Sequence, residues 1–277
     1  MTMTRKKSVQ SSVDSSLVFK FVIRLAILTS DIPHIDVVPW LGIREPFSSL
    51  SHLLGAIVFT CLSIGFVRRG RGNVIHEGSL FILAISSVLL LLASGIYHVF
   101  WPGPIREILL RIDVAGVFVL IAASMTPVHA ILYAGLARWL PLILIWTVAI
   151  TGIVWRTLFC QSTPGPEGIA FFLLFGWCGV VTTFFLVRRF GWNFVHHAAL
   201  SGVSYTIGAI GLMLHRPILI PGVIGPHEIW HVAVLIGIAF QWRFVSQFAV
   251  GYASAYPHTA APKNQRENLS KQTIINR

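Results

Sequence analysis

Seven stretches of this chain carry no charged side chain at all: Pro46–Val67, Gly78–Ile105, Val114–Ala137, Trp139–Trp155, Gly168–Val187, Phe190–His215 and Ile229–Trp242. A helix needs about 20 apolar residues to cross the hydrocarbon core of a bilayer. Six of the runs meet or approach that length, and Phe244–Val250 continues the last beyond Arg243. Lipid offers no partner to an open backbone N–H or C=O, so each run must close its own hydrogen bonds as a helix. A transmembrane barrel would alternate apolar and polar residues instead, and these runs do not. The expected fold is all-α: an integral membrane bundle of seven transmembrane helices.

Composition agrees. Of 277 residues 55% are hydrophobic and 11% charged, where a soluble domain carries roughly 25% charged residues. The formal charge is +11, but the basic residues stand at the ends of the apolar runs, as in proteins anchored to phospholipid head groups. No basic stripe interleaved with stacking aromatics is present, which argues against nucleic acid as a partner; the expected partners are membrane lipids. Cys61, Cys160 and Cys178 form no CxxC pair, and buried apolar thiols are expected rather than a disulfide framework.

The punctuation fixes the organisation. Arg68-Arg69-Gly70-Arg71-Gly72 closes the first run, Pro102-Gly103-Pro104 the second, and Arg138 with Pro141 separates the third from the fourth. Pro164-Gly165-Pro166 precedes the fifth, Arg188-Arg189 ends it, and the Pro- and Gly-rich segment from Arg216 to Pro226 leads into the seventh. Residues 1–44 are a basic N-terminal segment in which Leu17–Leu28, broken by Lys20 and Arg24, fits an interfacial amphipathic helix better than a signal peptide. Residues 45–252 are the membrane domain, and 253–277 a polar, disordered tail. The chain is expected in the plasma (inner) membrane. Loops on the N-terminal side carry Arg106, Arg111, Arg156 and Arg216, and those opposite carry Arg68, Arg69, Arg71, Arg138, Arg188 and Arg189. The loops favour an external N-terminus, whereas Lys6, Lys7, Lys20, Arg24 and Arg44 pull the other way, so orientation stays open.

Polar groups inside membrane helices are costly and point to function. The second helix ends with Ser94 and His98, the third begins with Asp113, the seventh with His227, Glu228 and His231, and the first with Glu45, Ser48, Ser51 and His52. With seven spans, all of these fall in one layer of the membrane although they are far apart in sequence. His227 and His231 are four residues apart, so their rings leave one helical face about 5–6 Å apart at Cβ. With His98 they supply three neutral nitrogens and leave a fourth position for water, the donor set of an open catalytic zinc site. Asp113 and Ser94 are placed to hydrogen-bond that water or a ligand ring. Taken alone HxxxH says little, since eleven histidines give about 0.4 chance pairs at this spacing; co-layering with His98, Asp113 and Ser94 is the stronger signal. His129, His196 and His197 fall outside the layer, and His215 flanks it.

His227-Glu228-Ile229-Trp230-His231 also reads as HExxH, in which Glu is the general base of a zinc protease. Such a protease needs a further ligand, usually downstream, where only His258 and Glu267 follow, and no LDG-like segment is present. Glu228 also points about 100° away from the two rings on the helical wheel. It is therefore a candidate, with Glu45 and His52, rather than the assigned base. Haem ligation by His98 and a histidine of the seventh helix is a further alternative.

These residues resemble the progestin and adipoQ receptor family, which includes the bacterial haemolysin III proteins. The resemblance is carried by Glu45-x-x-Ser48-x-x-Ser51-His52, Ser94-x-x-x-His98, Arg111-x-Asp113-x-Ala-Gly116 with Thr126-Pro127, and His227-x-x-x-His231, and it spans about residues 45–245. Ser48 and Ser51 stand where family members usually have Asn and Thr. The resemblance implies seven helices, zinc held by His98, His227 and His231, polar groups Asp113 and Ser94 beside it, and a cytoplasmic N-terminus. It also implies kinship with alkaline ceramidases, which use zinc to hydrolyse a lipid amide. The expected function is accordingly a zinc-dependent hydrolase of a ceramide-like lipid amide. The rival is a receptor-like or haemolysin-type membrane protein in which zinc is structural.

Overall fold

The computed structural model describes residues 37–159 and 165–251. The interfacial helix expected over residues 17–28 and the polar tail beyond residue 252 lie outside the described residues. Within them the chain is helical: α1 (Pro46–Arg68), α2 (Val74–Tyr97), α3 (Pro104–Leu132), α4 (Leu136–Phe159), α5 (Pro166–Trp177), α6 (Gly179–Phe190), α7 (Trp192–Met213) and α8 (Pro226–Ser246). α5 and α6 are two halves of one rod interrupted at Cys178, so the bundle has seven rods. Six, with α5–α6 taken together, are long and apolar enough to cross a membrane. α7 is as long as α1 to within a residue but carries Asn193, His196, His197 and several hydroxyl side chains. The protein is an integral membrane protein.

Two boundaries and one burial differ from the sequence reading, each for a local reason. α3 starts at Pro104 rather than near Asp113, because a proline at the first helical position has no N–H to satisfy and is pre-set in φ. Asp113 thus stands in the third turn, and Arg106 and Arg111 are helical. Arg138 and Pro141 do not separate the third and fourth helices but lie inside α4. The break falls at Tyr133–Gly135, where Gly135 has φ +57°. Pro141 leaves the Ala137 carbonyl without its helical donor, and the His129 ring, 3.3 Å away, takes that place. Finally, Cys61 and Cys178 are exposed on the outer surface rather than buried, since lipid accepts an apolar thiol as readily as a core does.

Packing is tightest among α1, α2, α3, α7 and α8. A Cβ on Gly95 of α2 would stand 2.8 Å from Leu53 Cγ and 3.1 Å from the Leu53 backbone nitrogen on α1. Small residues at such crossings let membrane helices approach closely. Hydroxyls and amides bridge the rods: Ser201 Oγ donates to Gly237 O at 2.8 Å, Gln241 Nε2 to Ser124 O at 2.8 Å, and Trp242 Nε1 to Ser87 Oγ at 3.1 Å. By contrast α4, α5 and α6 bury little and present Ile143, Leu144, Val181 and Phe184 outward, a surface suited to lipid.

Candidate metal centre

Alternating helix directions bring the end of α2 and the starts of α1, α3 and α8 to one end of the bundle. His98 is the C-cap of α2, and Pro226 starts α8, so His227 and His231 occupy its first two turns. Their rings converge. His98 Nε2 lies 3.4 Å from His227 Nε2, which lies 3.0 Å from His231 Nε2. One ligand atom from each of the three residues lies within 4.8 Å of the others, so the group could hold a metal ion. A tetrahedral zinc with Zn–N bonds of about 2.0–2.1 Å separates its nitrogens by about 3.3 Å. His98 and His231 are buried, whereas His227 is half-buried.

The far sides of the rings explain the convergence. His98 Nδ1 donates to Glu45 Oε2, and the Glu45 backbone N–H returns a bond to His98 O at 3.1 Å. His231 Nδ1 stands 2.9 Å from His52 Nε2. With its Nδ1 proton engaged by Glu45, the His98 ring turns an unprotonated Nε2 inward. Three imidazole nitrogens converging on one point are a donor set that fits a zinc-type ion. Glu45, just outside α1, is a suitable anionic partner: burial pushes its carboxyl up. The His98 hydrogen bond, with the charge of Arg106, outweighs this and holds it at about 2.

Asp113 lies near His98 and is not one of the group. It is hydrogen-bonded to Ser94, which is buried. Glu228 is occupied elsewhere. Its Oε1 accepts from Ser48 Oγ at 3.0 Å, and its Oε2 accepts the Gly225 N–H at 3.0 Å, tying the start of α8 to α1. His129 is remote from the centre, bonded to Ala137 and, at 3.1 Å, to Thr182 Oγ1.

Sequence reasoning missed Arg106, which it counted as a loop charge. Its guanidinium is buried, donating from Nη2 to Glu45 Oε1 at 2.9 Å and from Nη1 to the carbonyls of Tyr97 and Phe100. The available signal was Pro104: a helix begun there carries Arg106 inside its first turn.

Comparison with known proteins places this chain among relatives. A family model described as haemolysin-III related matches residues 42–242. Hemolysin-3 of Bacillus cereus is 25% identical over 215 residues, covering 76% of this chain and 94% of that protein. An uncharacterized protein of Schizosaccharomyces pombe is 28% identical over 229 residues, covering 76% of this chain and 52% of its own length. Heptahelical transmembrane protein 1 of Arabidopsis thaliana is 29% identical over 222 residues, covering 70% of this chain and 66% of its own length.

Proposed function

The chain belongs to the haemolysin-III-related family, and on that premise we propose that it is a zinc-dependent hydrolase of a ceramide-like lipid amide in the plasma membrane. The observation that carries this reading is the convergence of His98, His227 and His231, with Asp113 near His98. When bound there, zinc would lower the pKa of water to about 7 and polarise the substrate carbonyl. His98, His227 and His231 would hold the ion, with Glu45 fixing His98 in the ligating tautomer and His52 packed edge-on against the His231 ring. The Asp113 carboxylate would orient water and hold its proton, and Ser94 would orient Asp113. Access would be from the bilayer side, a route supported by the half-burial of His227 and the light packing of α3 on α8. An acyl chain could enter between helices at that point, as ligands do in bundles.

One observation favours a second reading, a receptor-like or haemolysin-type protein with a structural zinc. The three donors come from α2 and α8, so an ion there would pin two distant helices whether or not it turned over substrate.

Metal content decides first. Protein purified in detergent without chelators should carry about one zinc per chain, and the His98→Ala/His227→Ala/His231→Ala variant none. Wild type should then release fatty acid from ceramide, and Asp113→Ala should not. Undiminished release by Asp113→Ala would remove its assigned role. Zinc without turnover, combined with lower thermal stability on chelation, would select the structural reading, and a folded wild type free of metal would sink both.

A further inference from the structure

Arg106 is an expensive residue to bury at the end of a membrane bundle, and its contacts say what the cost secures. Its guanidinium lies 4.1 Å over the Tyr97 ring. Nη1 reaches the Tyr97 carbonyl at 3.1 Å as well as that of Phe100. Nη2 reaches Glu45 Oε1 at 2.9 Å. The other oxygen of the same carboxylate, Oε2, receives His98 Nδ1–H. Thus three elements meet through one carboxylate: the segment before α1, the C-terminus of α2 and the first turn of α3.

We infer that Arg106 is a positioning residue for the metal centre, clamping Glu45 so that its second oxygen holds His98 with Nε2 turned toward His227 and His231. The inference rests on the three histidines being the metal ligands, as proposed above. A carboxylate held only by His98 and by the more exposed Arg44, whose Nε stands 3.5 Å from Oε1, can still rotate about its last side-chain torsion and carry the ring with it. Fixed at one oxygen by a planar guanidinium that is itself fixed by two carbonyls, it has one orientation left. With Oε1 held by the guanidinium, Oε2 is the oxygen that faces His98 Nδ1, and a ring donating from Nδ1 presents Nε2 to the other two histidines. Partners of this kind, acting behind a ligand, typically change metal affinity on the order of 10- to 100-fold when removed.

The test is zinc affinity of the full chain in detergent, by competition with a chelator, for wild type, Arg106→Met, Glu45→Gln and the double variant. Arg106→Met should bind zinc on the order of 10-fold or more weakly. In the Glu45→Gln background the same change should cost little further, because the clamp has nothing left to hold. The visible bands of the cobalt(II)-loaded Arg106→Met protein should shift in the same direction as those of Glu45→Gln. Arg106→Gln, whose amide can still donate to the Tyr97 and Phe100 carbonyls, should lose affinity as Met does and covers the case in which Met prevents folding. Wild-type affinity in Arg106→Gln overturns the inference. So does an equal loss with and without Glu45, which would make Arg106 a brace between α2 and α3 only. If wild type itself binds no metal, the failure belongs to the metal reading, and the two failures are told apart.

Discussion

The two ends of the bundle handle charge in opposite ways. At the metal-centre end, Arg44, Arg106, Arg111, Arg156 and Arg216 are matched among the described residues by Glu45, Glu107, Asp113, Glu167 and Glu228. Ion pairs from Arg44 and Arg106 and a hydrogen bond from His98 converge on the single carboxylate of Glu45. At the far end stand Arg68, Arg69, Arg71, Arg138, Arg188, Arg189 and Arg243, with Glu77 as the one acid among the described residues. Arg188 lies over the Phe184 ring and Arg138 donates to the Tyr133 carbonyl, contacts that leave the positive charge uncompensated. One end is organised inward around its own partners; the other offers its charge to the head groups of the bilayer. Net charge alone hides this difference, because the basic residues of the two ends are similar in number.

If the metal-centre end is internally saturated, removing one partner there should be costly. Glu228 is the sharpest case, buried with each oxygen occupied by a donor from a different place, Ser48 and the Gly225 N–H. Glu228→Ala strands both donors and should destabilise the protein by about 3 kcal/mol. Glu228→Gln keeps an acceptor for one of them and should cost about half as much. Thermal unfolding in detergent reads this directly. A melting temperature unchanged in Glu228→Ala would show that this end is wetter and looser than the contacts imply.

The same contrast appears in packing. Gly95 lies near the metal-centre end with Leu53 against the place a Cβ would occupy, whereas Gly65, toward the far end of α1, has nothing within 4 Å of that place. Gly95→Val should cost about 2 kcal/mol through overpacking, while Gly65→Ala should be neutral or stabilise by up to about 1 kcal/mol. Equal effects at the two positions would erase the distinction between a tight end and an open one.

Much of this was legible in the sequence, for one physical reason: a bilayer forces every span to satisfy its own backbone, so apolar runs and parity fix both the rods and the end at which His98, His227 and His231 meet. Short-range chemistry was less legible. Arg138 and Pro141 look like a helix break, yet the His129 ring supplies the donor that makes Pro141 tolerable inside α4. Arg106 looks like an interfacial cation, and only the close approach of three segments shows it bonded to Glu45. Pairing of this kind depends on distances that no periodicity encodes. The outward placement of Cys61 and Cys178 escaped for a related reason: in a membrane, an apolar residue does not by itself say which way it faces.

The smallest effect on folding should come from the far-end arginines. Arg68, Arg71 and Arg188 are exposed, so replacing them with Gln should change stability by less than about 0.5 kcal/mol each. Their effect should appear instead in lipid binding, where each cation near the surface contributes about 1 kcal/mol toward anionic head groups. Quenching of tryptophan fluorescence by brominated anionic lipid, at fixed ionic strength, would measure it. The Arg68→Gln/Arg71→Gln/Arg188→Gln variant should lose its preference for anionic over zwitterionic lipid. Arg111→Gln/Arg216→Gln, made at the end where acids already balance the bases, should keep most of it. A similar loss from both variants would mean that lipid sees only the total charge, and the division of labour between the two ends would have to be abandoned.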